Sequence, residues 1–174
     1  AISPSGNTTY YFCAIAQSSG GTTYGTVLSF LTNPNTPGDP TVTAVTSSQI
    51  NLSWTAPSGG ATSYTISRCQ GSGCNTPAPI ATGVTATTYN NTGLSAGTTY
   101  VYWVSAVNTT GTSSYSLSAS ATTSAACTPT TWYRDADGDG YGSGGATSSC
   151  TQPAGYAANN ADCYDGNALA RPGQ

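Results

Sequence analysis

Residues 135–142 read Asp-Ala-Asp-Gly-Asp-Gly-Tyr-Gly and place three carboxylates on alternate residues. In a calcium-binding loop, side-chain oxygens at the first, third and fifth positions and a backbone carbonyl at the seventh converge on one hard cation. Those positions are occupied here by Asp135, Asp137, Asp139 and Tyr141. Glycines at 138, 140 and 142 permit the tight, partly left-handed winding of such a loop. The stretch therefore predicts a site for a divalent cation.

The loop does not match a helix-loop-helix hand. A hand needs a bidentate Glu at its twelfth position, where this chain has Ala146, and neither flank has the apolar period of a helix. Further ligands are available in residues 161–167, where Asp162 and Asp165 lie close together. Clustered carboxylates repel one another, and a divalent ion removes that repulsion. We therefore expect a two-part site.

The six cysteines and the absence of histidine argue against zinc and for disulfide bonds formed in an oxidising compartment. A short loop can close between Cys69 and Cys74, and a Cys150–Cys163 bond would hold the second acidic piece near the first. Cys13 and Cys127 then remain, as a pair or as links to other chains. The alternative is free buried thiols.

The charged residues exclude several classes of function. The chain has three Arg and no Lys, and six Asp and no Glu, for a net charge of −3. Three cations cannot neutralise a run of phosphates, so nucleic acid is not an expected partner. Without His, acid–base chemistry would fall on Asp or Tyr, and the clustered Asp are better explained as metal ligands. We predict no enzyme activity, and no apolar run is long enough to span a membrane.

The composition predicts an all-β protein, because Thr, Ser, Gly, Ala and Tyr dominate and helix formers are scarce. Pro-rich stretches separate short alternating segments that predict a two-sheet sandwich. The predicted strands are residues 41–46, 49–54, 63–68, 79–82, 86–89, 99–108 and 115–122. We expect an incomplete sandwich at 1–32, a linker at 33–40, a complete domain at 41–124 and a disulfide-braced calcium-binding motif at 125–174.

Residues 50–57, 61–68 and 89–111 read INLSWTAP, ATSYTISR and YNNTGLSAGTTYVYWVSAVNTTG. With these segments, about residues 38–124 resemble a fibronectin type III domain, an immunoglobulin-like sandwich. The resemblance implies a spacer or binding module, because this fold hosts many functions. It also implies a tyrosine corner at Leu94 and Tyr100, and core positions at Trp54, Tyr64, Tyr102, Val104 and Ala106.

The segment beginning at residue 8 (TTYYFCAIAQ) resembles the segment beginning at residue 98 (TTYVYWVSAV), an offset of 90 residues that indicates an internal repeat. By this offset Tyr10 corresponds to the corner tyrosine, Phe12, Ala14 and Ala16 point inward, and Cys13 points outward. A lone two-stranded hairpin is marginal in water. Its apolar face is expected to be covered by strands of a neighbouring subunit, by a larger parent chain, or by the second domain of this chain.

About residues 131–173 resemble a metal-binding motif repeated in secreted bacterial surface proteins, similar to thrombospondin type 3 calcium repeats. The matching features are Tyr133, the DADGDGYG core, Cys150, Pro153, Gly155, Tyr156, Asp162, Cys163, Asp165, Pro172 and Gly173. Where this chain has Tyr164, the motif often has an acid or Asn. Copper has been associated with the family but favours imidazole or sulfur ligands. All-oxygen ligands favour Ca²⁺, with Asp135, Asp137, Asp139, Tyr141, Asp162 and Asp165 as the predicted set; a solvated acidic loop without metal is the alternative.

Together these patterns predict a non-catalytic, calcium-stabilised structural segment of an exported protein, located outside the cell or at its surface. We expect a filament subunit or adhesin module that contacts other copies of itself through the incomplete sandwich. The alternative is an accessory spacer or carbohydrate-binding region of a secreted hydrolase. Trp103 and Tyr11 are candidates for stacking on a polysaccharide, or for simple cross-strand pairing.

Overall fold

The structure is a computed structural model and describes residues 4–163. Within that range every regular element is a β-strand, which confirms the all-β prediction. The chain forms two compact units, residues 1–125 and residues 126–174. In the part of the chain described, no helix has the length and apolar character needed to cross a membrane.

The strands of the described residues are named here in chain order. They are β1 (Thr9–Phe12), β2 (Ile15–Ser18), β3 (Gly21–Tyr24), β4 (Leu28–Leu31), β5 (Thr41–Ala44), β6 (Gln49–Ser53), β7 (Ser63–Gln70), β8 (Ala78–Val84), β9 (Thr88–Thr92), β10 (Thr99–Val107), β11 (Ala119–Thr122), β12 (Thr130–Arg134), β13 (Ala146–Ser149) and β14 (Tyr156–Ala157).

Seven strands of the first unit form the predicted sandwich. One sheet has the order β5-β6-β9 and the other β11-β10-β7-β8, all antiparallel. Alternate residues of each strand point between the sheets. The resulting core contains Ile50, Leu52, Trp54, Tyr64, Ile66, Leu94, Tyr100, Tyr102, Val104 and Ala106. Every core position implied by the fibronectin type III resemblance is therefore buried.

The last predicted strand starts later than expected. Residues 115–122 were expected to be one strand, whereas β11 begins at Ala119. The reason lies at Ser116, whose backbone N–H donates to the carbonyl of Val104 at 2.9 Å while its hydroxyl accepts from the Val104 N–H at 3.0 Å. The Ser116 hydroxyl thus accepts a hydrogen bond that a backbone carbonyl would accept in a regular ladder. Residues 116–118 therefore lie along β10 without regular strand pairing.

The tyrosine corner is present next to β10. The Ser95 N–H donates to the hydroxyl oxygen of Tyr100 at 3.0 Å. Thr123 closes the same corner, because its hydroxyl donates to the Ser95 carbonyl at 2.7 Å and accepts from the Thr98 N–H at 3.0 Å. These bonds fix the loop before β10 against the end of β11.

The N-terminal hairpin repeats this corner. Strand β1 pairs with β4 and β2 pairs with β3, so one hairpin is divided into two short ladders. The Ser5 N–H donates to the Tyr10 hydroxyl at 2.7 Å. The Thr32 hydroxyl donates to the Ser5 carbonyl at 2.7 Å and accepts from the Thr8 N–H at 2.9 Å. The correspondence of Tyr10 to the corner tyrosine is confirmed.

The hairpin does not bury its apolar face. Phe12 is 54% exposed, and Ala14 and Ala16 are exposed as well. These residues lie on the face that the repeat pattern predicts to be inward, and within the described residues no second sheet covers the two-stranded sheet of β1 and β4. Docking of this face on the complete sandwich of the same chain, one of the three alternatives, is therefore not observed in the described residues.

Asparagine side chains attach the base of the hairpin to the sandwich. Asn108 Nδ2 donates to Asn7 Oδ1 at 2.9 Å and to the Thr32 carbonyl at 2.8 Å. Asn7 Nδ2 in turn donates to the carbonyl of Gly59 at 2.7 Å. The connection is thus made by hydrogen bonds at one end, and the apolar surface of the hairpin stays open.

The second unit is built on a small antiparallel sheet of order β13-β12-β14. Trp132 lies half-buried on its central strand, where its indole N–H donates to the Ser149 carbonyl at 3.0 Å. The acidic loop begins at the end of β12, so this sheet is the element that positions it.

Candidate metal centre

Backbone hydrogen bonds hold both ends of the acidic loop. The Asp135 N–H donates to the carbonyl of Gly155 at 2.9 Å, next to β14. At the other end the Ser143 N–H donates to the carbonyl of Arg134 at 2.8 Å. Residues 135–142 therefore form a closed loop whose two ends are both attached by hydrogen bonds at the end of the sheet.

The carboxylate of Asp135 organises the first turn of the loop. Its Oδ1 accepts from the Gly138 N–H at 2.7 Å and its Oδ2 accepts from the Gly140 N–H at 3.1 Å. Gly138 has φ 77° and Gly140 has φ 89°, values that glycine adopts without steric cost. The left-handed winding expected at these two glycines is therefore present.

Gly142 is required for a different reason. A Cβ atom at this position would lie 2.7 Å from Cβ of Tyr133 and 2.8 Å from its carbonyl oxygen. The loop thus passes directly over β12, and any larger residue would force the two segments apart. The sequence suggested winding here, whereas the structure uses this glycine for close packing.

The three alternating carboxylates converge. Asp137 Oδ1 accepts from the Asp139 N–H at 3.3 Å, and Asp139 Oδ1 accepts from the Tyr141 N–H at 2.9 Å. One oxygen from each of Asp135, Asp137 and Asp139 lies within 4.8 Å of the other two. The structure therefore brings together the three side-chain ligands that the spacing predicted, and Tyr141 follows them in the same loop.

Asp137 has an environment that suits a cation. Its Oδ2 is buried and accepts no hydrogen bond from the residues that the structure describes. Burial raises the pKa of Asp137, the backbone N–H of Asp139 lowers it, and the negative charges of Asp139, Asp162 and Asp135 raise it further. An oxygen-only group of like charges is the donor set that Ca²⁺ prefers. The residues present therefore fit a calcium ion.

The second acidic piece lies beside the first, as expected for Asp162. The Asp162 N–H donates to the carbonyl of Gly142 at 3.2 Å, and the Gly142 N–H donates to the carbonyl of Asn159 at 3.1 Å. Asn159 also donates from Nδ2 to the carbonyl of Gly140 at 3.4 Å. Backbone and amide hydrogen bonds thus hold Asp162 in place. Asp165 and Tyr164 lie outside the described residues.

Asn159 also belongs to this site, although the sequence pattern did not predict it. Its side chain and backbone both reach the acidic loop, and its Oδ1 also accepts from the Ala161 N–H at 3.1 Å. The signal available was the pair Asn159-Asn160 ahead of Asp162, since Asn readily bonds nearby backbone groups in turns.

The disulfide bonds correct one of the predicted pairings. Cys69 pairs with Cys74 as expected. Cys150 pairs with Cys127 instead of Cys163, with Cα atoms 5.8 Å apart, whereas Cys13 and Cys163 are free. The reason is the register of β12 and β13, in which Thr130 lies opposite Ser149 and so brings the flanking cysteines together. A Cys13–Cys127 pair, one of the two alternatives for these cysteines, is wrong for the same reason.

Comparison with protein families and curated proteins identifies similar segments. The fibronectin type III domain family matches residues 35–122. A poly(3-hydroxybutyrate) depolymerase of Ralstonia pickettii is 46% identical over 93 residues, which cover 52% of this chain and 17% of that protein. The receptor-type tyrosine-protein phosphatase S of Gallus gallus is 35% identical over 78 residues, covering 45% of this chain and 5% of that protein. The chain spans less than a fifth of either relative.

Solved structures include similar domains. An Fn3-like protein from Clostridium thermocellum is 35% identical with a TM-score of 0.45, covering 48% of this chain and 86% of that chain. The FN5 domain of Drosophila Lar is 26% identical with a TM-score of 0.45, covering 53% of this chain and 99% of that chain.

Proposed function

This chain belongs to the fibronectin type III family, and on that premise we propose that it is a non-catalytic, calcium-stabilised structural segment of an extracellular filament or adhesin. Domains of this family are generally non-catalytic modules. The family and the disulfide bonds are both typical of proteins outside the cell. One observation carries the assembly role, namely the exposed inward face of the N-terminal hairpin.

That face corresponds to a buried face of the complete sandwich. Strand β1 pairs with β4 in the same way that β10 pairs with β11, after the same tyrosine corner. Tyr100 and Tyr102 on β10 are 3% and 0% exposed, whereas Phe12 at the position matching Tyr102 is 54% exposed. The hairpin therefore presents residues of core type where the complete domain has a second sheet.

An aromatic cluster forms the centre of this exposed face. The rings of Tyr10 and Phe30 stack with centroids 5.6 Å apart, and Phe12 lies against Phe30 at 6.2 Å. Further apolar side chains exposed along the hairpin are Tyr11, Ile15, Tyr24, Val27 and Leu28. Apolar surface of this extent is typical of an interaction site.

A second copy of the chain is the partner that this surface fits. Residues 8–32 contain no charged side chain, and the whole chain has only three Arg and six Asp as charged side chains. Charge repulsion therefore does not oppose self-association. Strands β1 and β4 form a two-stranded sheet, which leaves an open edge on each for an added strand. Strand addition from another copy would pair these edges, and a sheet of that copy packed on the hairpin would cover the apolar face.

The calcium site would stiffen the second unit. Bound Ca²⁺ would neutralise the carboxylates of Asp135, Asp137 and Asp139 and connect their loop to Asp162. The buried Oδ2 of Asp137, with no hydrogen bond from the described residues, supports this assignment. In this role the metal is structural, as expected for a module outside the cell.

The experiment is negative-stain electron microscopy and light scattering of the protein with calcium present. We expect filaments or regular oligomers, and we expect a Phe12→Ser, Phe30→Ser double variant to be monomeric. Leu117→Ser is the matched control, because Leu117 is 73% exposed but lies on the sandwich. Wild-type protein that stays monodisperse and monomeric at high concentration would overturn the assembly role.

A second function, an accessory spacer of a secreted hydrolase, is favoured by the 46% identity to part of the Ralstonia pickettii depolymerase. In that role the segment would separate a catalytic domain from another module and would not self-associate. Two results would support this alternative. The wild-type protein would be monomeric, and the Phe12→Ser, Phe30→Ser double variant would leave the thermal stability of both units unchanged.

A further inference from the structure

A cavity of about 410 Å³ lies on the outer face of the four-stranded sheet. Its floor is Val101 and Trp103 of β10, one side is Ser118 and Ser120 next to and within β11, and the other side is Cys74 and Asn75. Its volume is in the range of small-molecule sites, about 300–1,000 Å³. It is distant in sequence from the acidic loop and is formed by the first unit alone.

Strand alternation places Trp103 on this outer face. Its neighbours Tyr102 and Val104 are fully buried in the core, so Trp103 points the other way and is half-buried. The residue opposite Trp103 on β7 is Ser67. A serine cannot cover an indole ring, and no ring contact joins Trp103 to another aromatic side chain among the described residues. Cross-strand aromatic pairing, which the sequence left open, therefore does not occupy this side chain.

The wall beside Trp103 is a short disulfide-closed loop. Cys69 lies opposite Val101 in the ladder and is bonded to Cys74. Gly71 has φ 106° and donates its N–H to the Thr99 carbonyl at 2.9 Å, which attaches the loop to the start of β10. A wall fixed in this way reduces the entropy lost when a ligand binds.

The polar groups around the cavity are available to a ligand. No hydrogen bond joins the side chains of Asn75, Ser118 or Ser120 to any residue that the structure describes. Together they offer hydroxyl and amide donors and acceptors. None of the residues that line the cavity is charged. The cavity therefore suits a neutral ligand that has both an apolar face and several hydroxyl groups.

We propose that this cavity binds a neutral sugar unit of a polysaccharide, with the apolar face of the sugar ring on the Trp103 indole. Asn75, Ser118 and Ser120 bind the ring hydroxyls, and the Cys69–Cys74 loop limits the width of the site. This assignment is independent of the proposed self-association, because the cavity involves no residue of the hairpin.

The test is calorimetric titration of the full chain with cellohexaose, chitohexaose and xylohexaose, with an anionic oligogalacturonate as the opposing probe. We expect at least one neutral oligosaccharide to bind. Trp103→Ala should weaken that binding by about tenfold or more, as truncation of a central aromatic anchor does. Trp103→Phe should retain part of the affinity, and Ser118→Ala with Ser120→Ala should weaken it to a smaller degree.

Val45→Ser is the matched control, because Val45 is an exposed apolar residue of the sandwich that does not line the cavity, and its replacement should leave affinity unchanged. Thermal unfolding of Trp103→Ala checks that the sandwich is intact, and Trp103→Phe serves if the alanine variant fails to fold. The proposal is wrong if none of the three neutral probes binds, if the anionic probe binds more tightly, or if both Trp103 variants bind as wild type does.

Discussion

The backbone N–H of Ser5 donates to the hydroxyl oxygen of Tyr10 at 2.7 Å, and Ser95 makes the same bond to Tyr100 at 3.0 Å. Both pairs are separated by five residues, and the second pair follows the first at an offset of 90. The internal repeat is therefore visible in individual hydrogen bonds as well as in sequence. The two corners differ in one respect, since only the second stands next to a filled core.

That difference predicts unequal effects of one substitution. Tyr100→Phe should lower the free energy of unfolding of the sandwich by about 1–2 kcal/mol, because the buried corner loses its hydrogen bond. Tyr10→Phe should leave sandwich stability nearly unchanged and speed proteolysis within residues 8–32. Denaturant titration and timed protease digestion of both variants measure the two effects. Equal loss of sandwich stability in the two variants would contradict this interpretation.

Removal of calcium should destabilise the second unit selectively. We expect a chelator to lower its thermal unfolding midpoint, and Asp137→Asn to reduce calcium affinity by roughly tenfold or more. Asp39→Asn is the control, because it removes one negative charge outside the cluster, where Asp39 Oδ1 accepts from the Leu117 N–H at 2.9 Å. This variant should bind calcium as wild type does. The absence of calcium from the purified protein, with no response to chelator, would rule out the site.

The Cys127–Cys150 bond should contribute more stability than the Cys69–Cys74 bond. It joins cysteines 23 residues apart, against 5 for the other pair. Chain entropy then gives about 3 kcal/mol for the longer loop and about 2 kcal/mol for the shorter one. Thermal unfolding of the two double Cys→Ser variants compares them, and peptide mapping under non-reducing conditions checks the pairing. A Cys150–Cys163 peptide would show that the register of β12 and β13 does not decide the pairing.

Alkaline pH should destabilise the sandwich through its buried tyrosines. Burial raises the pKa of Tyr64 above its ordinary 10.0. Burial also raises the pKa of Tyr102, although a hydrogen bond from Asn91 and the charge of Arg68 oppose the rise. Above pH 10 the unfolded chain then loses protons that the folded protein keeps, so the free energy of unfolding falls as pH rises.

Below that pH the contribution of these tyrosines is fully present, so their ionisation should not make the stability vary with pH. Tyr64→Phe should therefore reduce the fall in stability between pH 10 and 11.5, measured by urea titration at each pH. Tyr11→Phe is the control, because Tyr11 is 72% exposed. The free energy of unfolding of this variant should fall as steeply with pH as that of wild type. Identical alkaline curves for Tyr64→Phe and wild type would contradict the role of burial.

The sandwich could be predicted in detail because its signals are local. Alternation along β6 and β10 marks the inward residues, and the corner residues Leu94 and Tyr100 identify the turn before β10. The loop carboxylates were predictable for the same reason, since their spacing alone brings Asp135, Asp137 and Asp139 together. In both cases residues close in sequence determine the geometry.

Features that depend on distant pairing could not be read in this way. The choice of Cys127 as partner of Cys150 follows from the register of a hairpin with 11 residues between its strands, which spacing of cysteines does not reveal. The exposure of Phe12 depends on the lack of a covering sheet within the described residues, whereas its sequence pattern matches that of the buried Tyr102. The cavity at Trp103 depends on a disulfide-closed loop lying beside β10.

The hydrogen bonds of Asn108 also restrict where a glycan can be attached. Asn7, Asn51, Asn90 and Asn108 each stand in an Asn-X-Ser/Thr sequence. Asn108 is 8% exposed and its amide nitrogen is bonded to Asn7 and Thr32, so a transferase acting on the folded protein has no access to it. Asn90 is exposed on β9. Asn7 lies at the same hairpin base, and its amide nitrogen is also bonded, to the Gly59 carbonyl. In a host that glycosylates such sequences, a sugar chain would therefore be attached to the three-stranded sheet and not to the hairpin base.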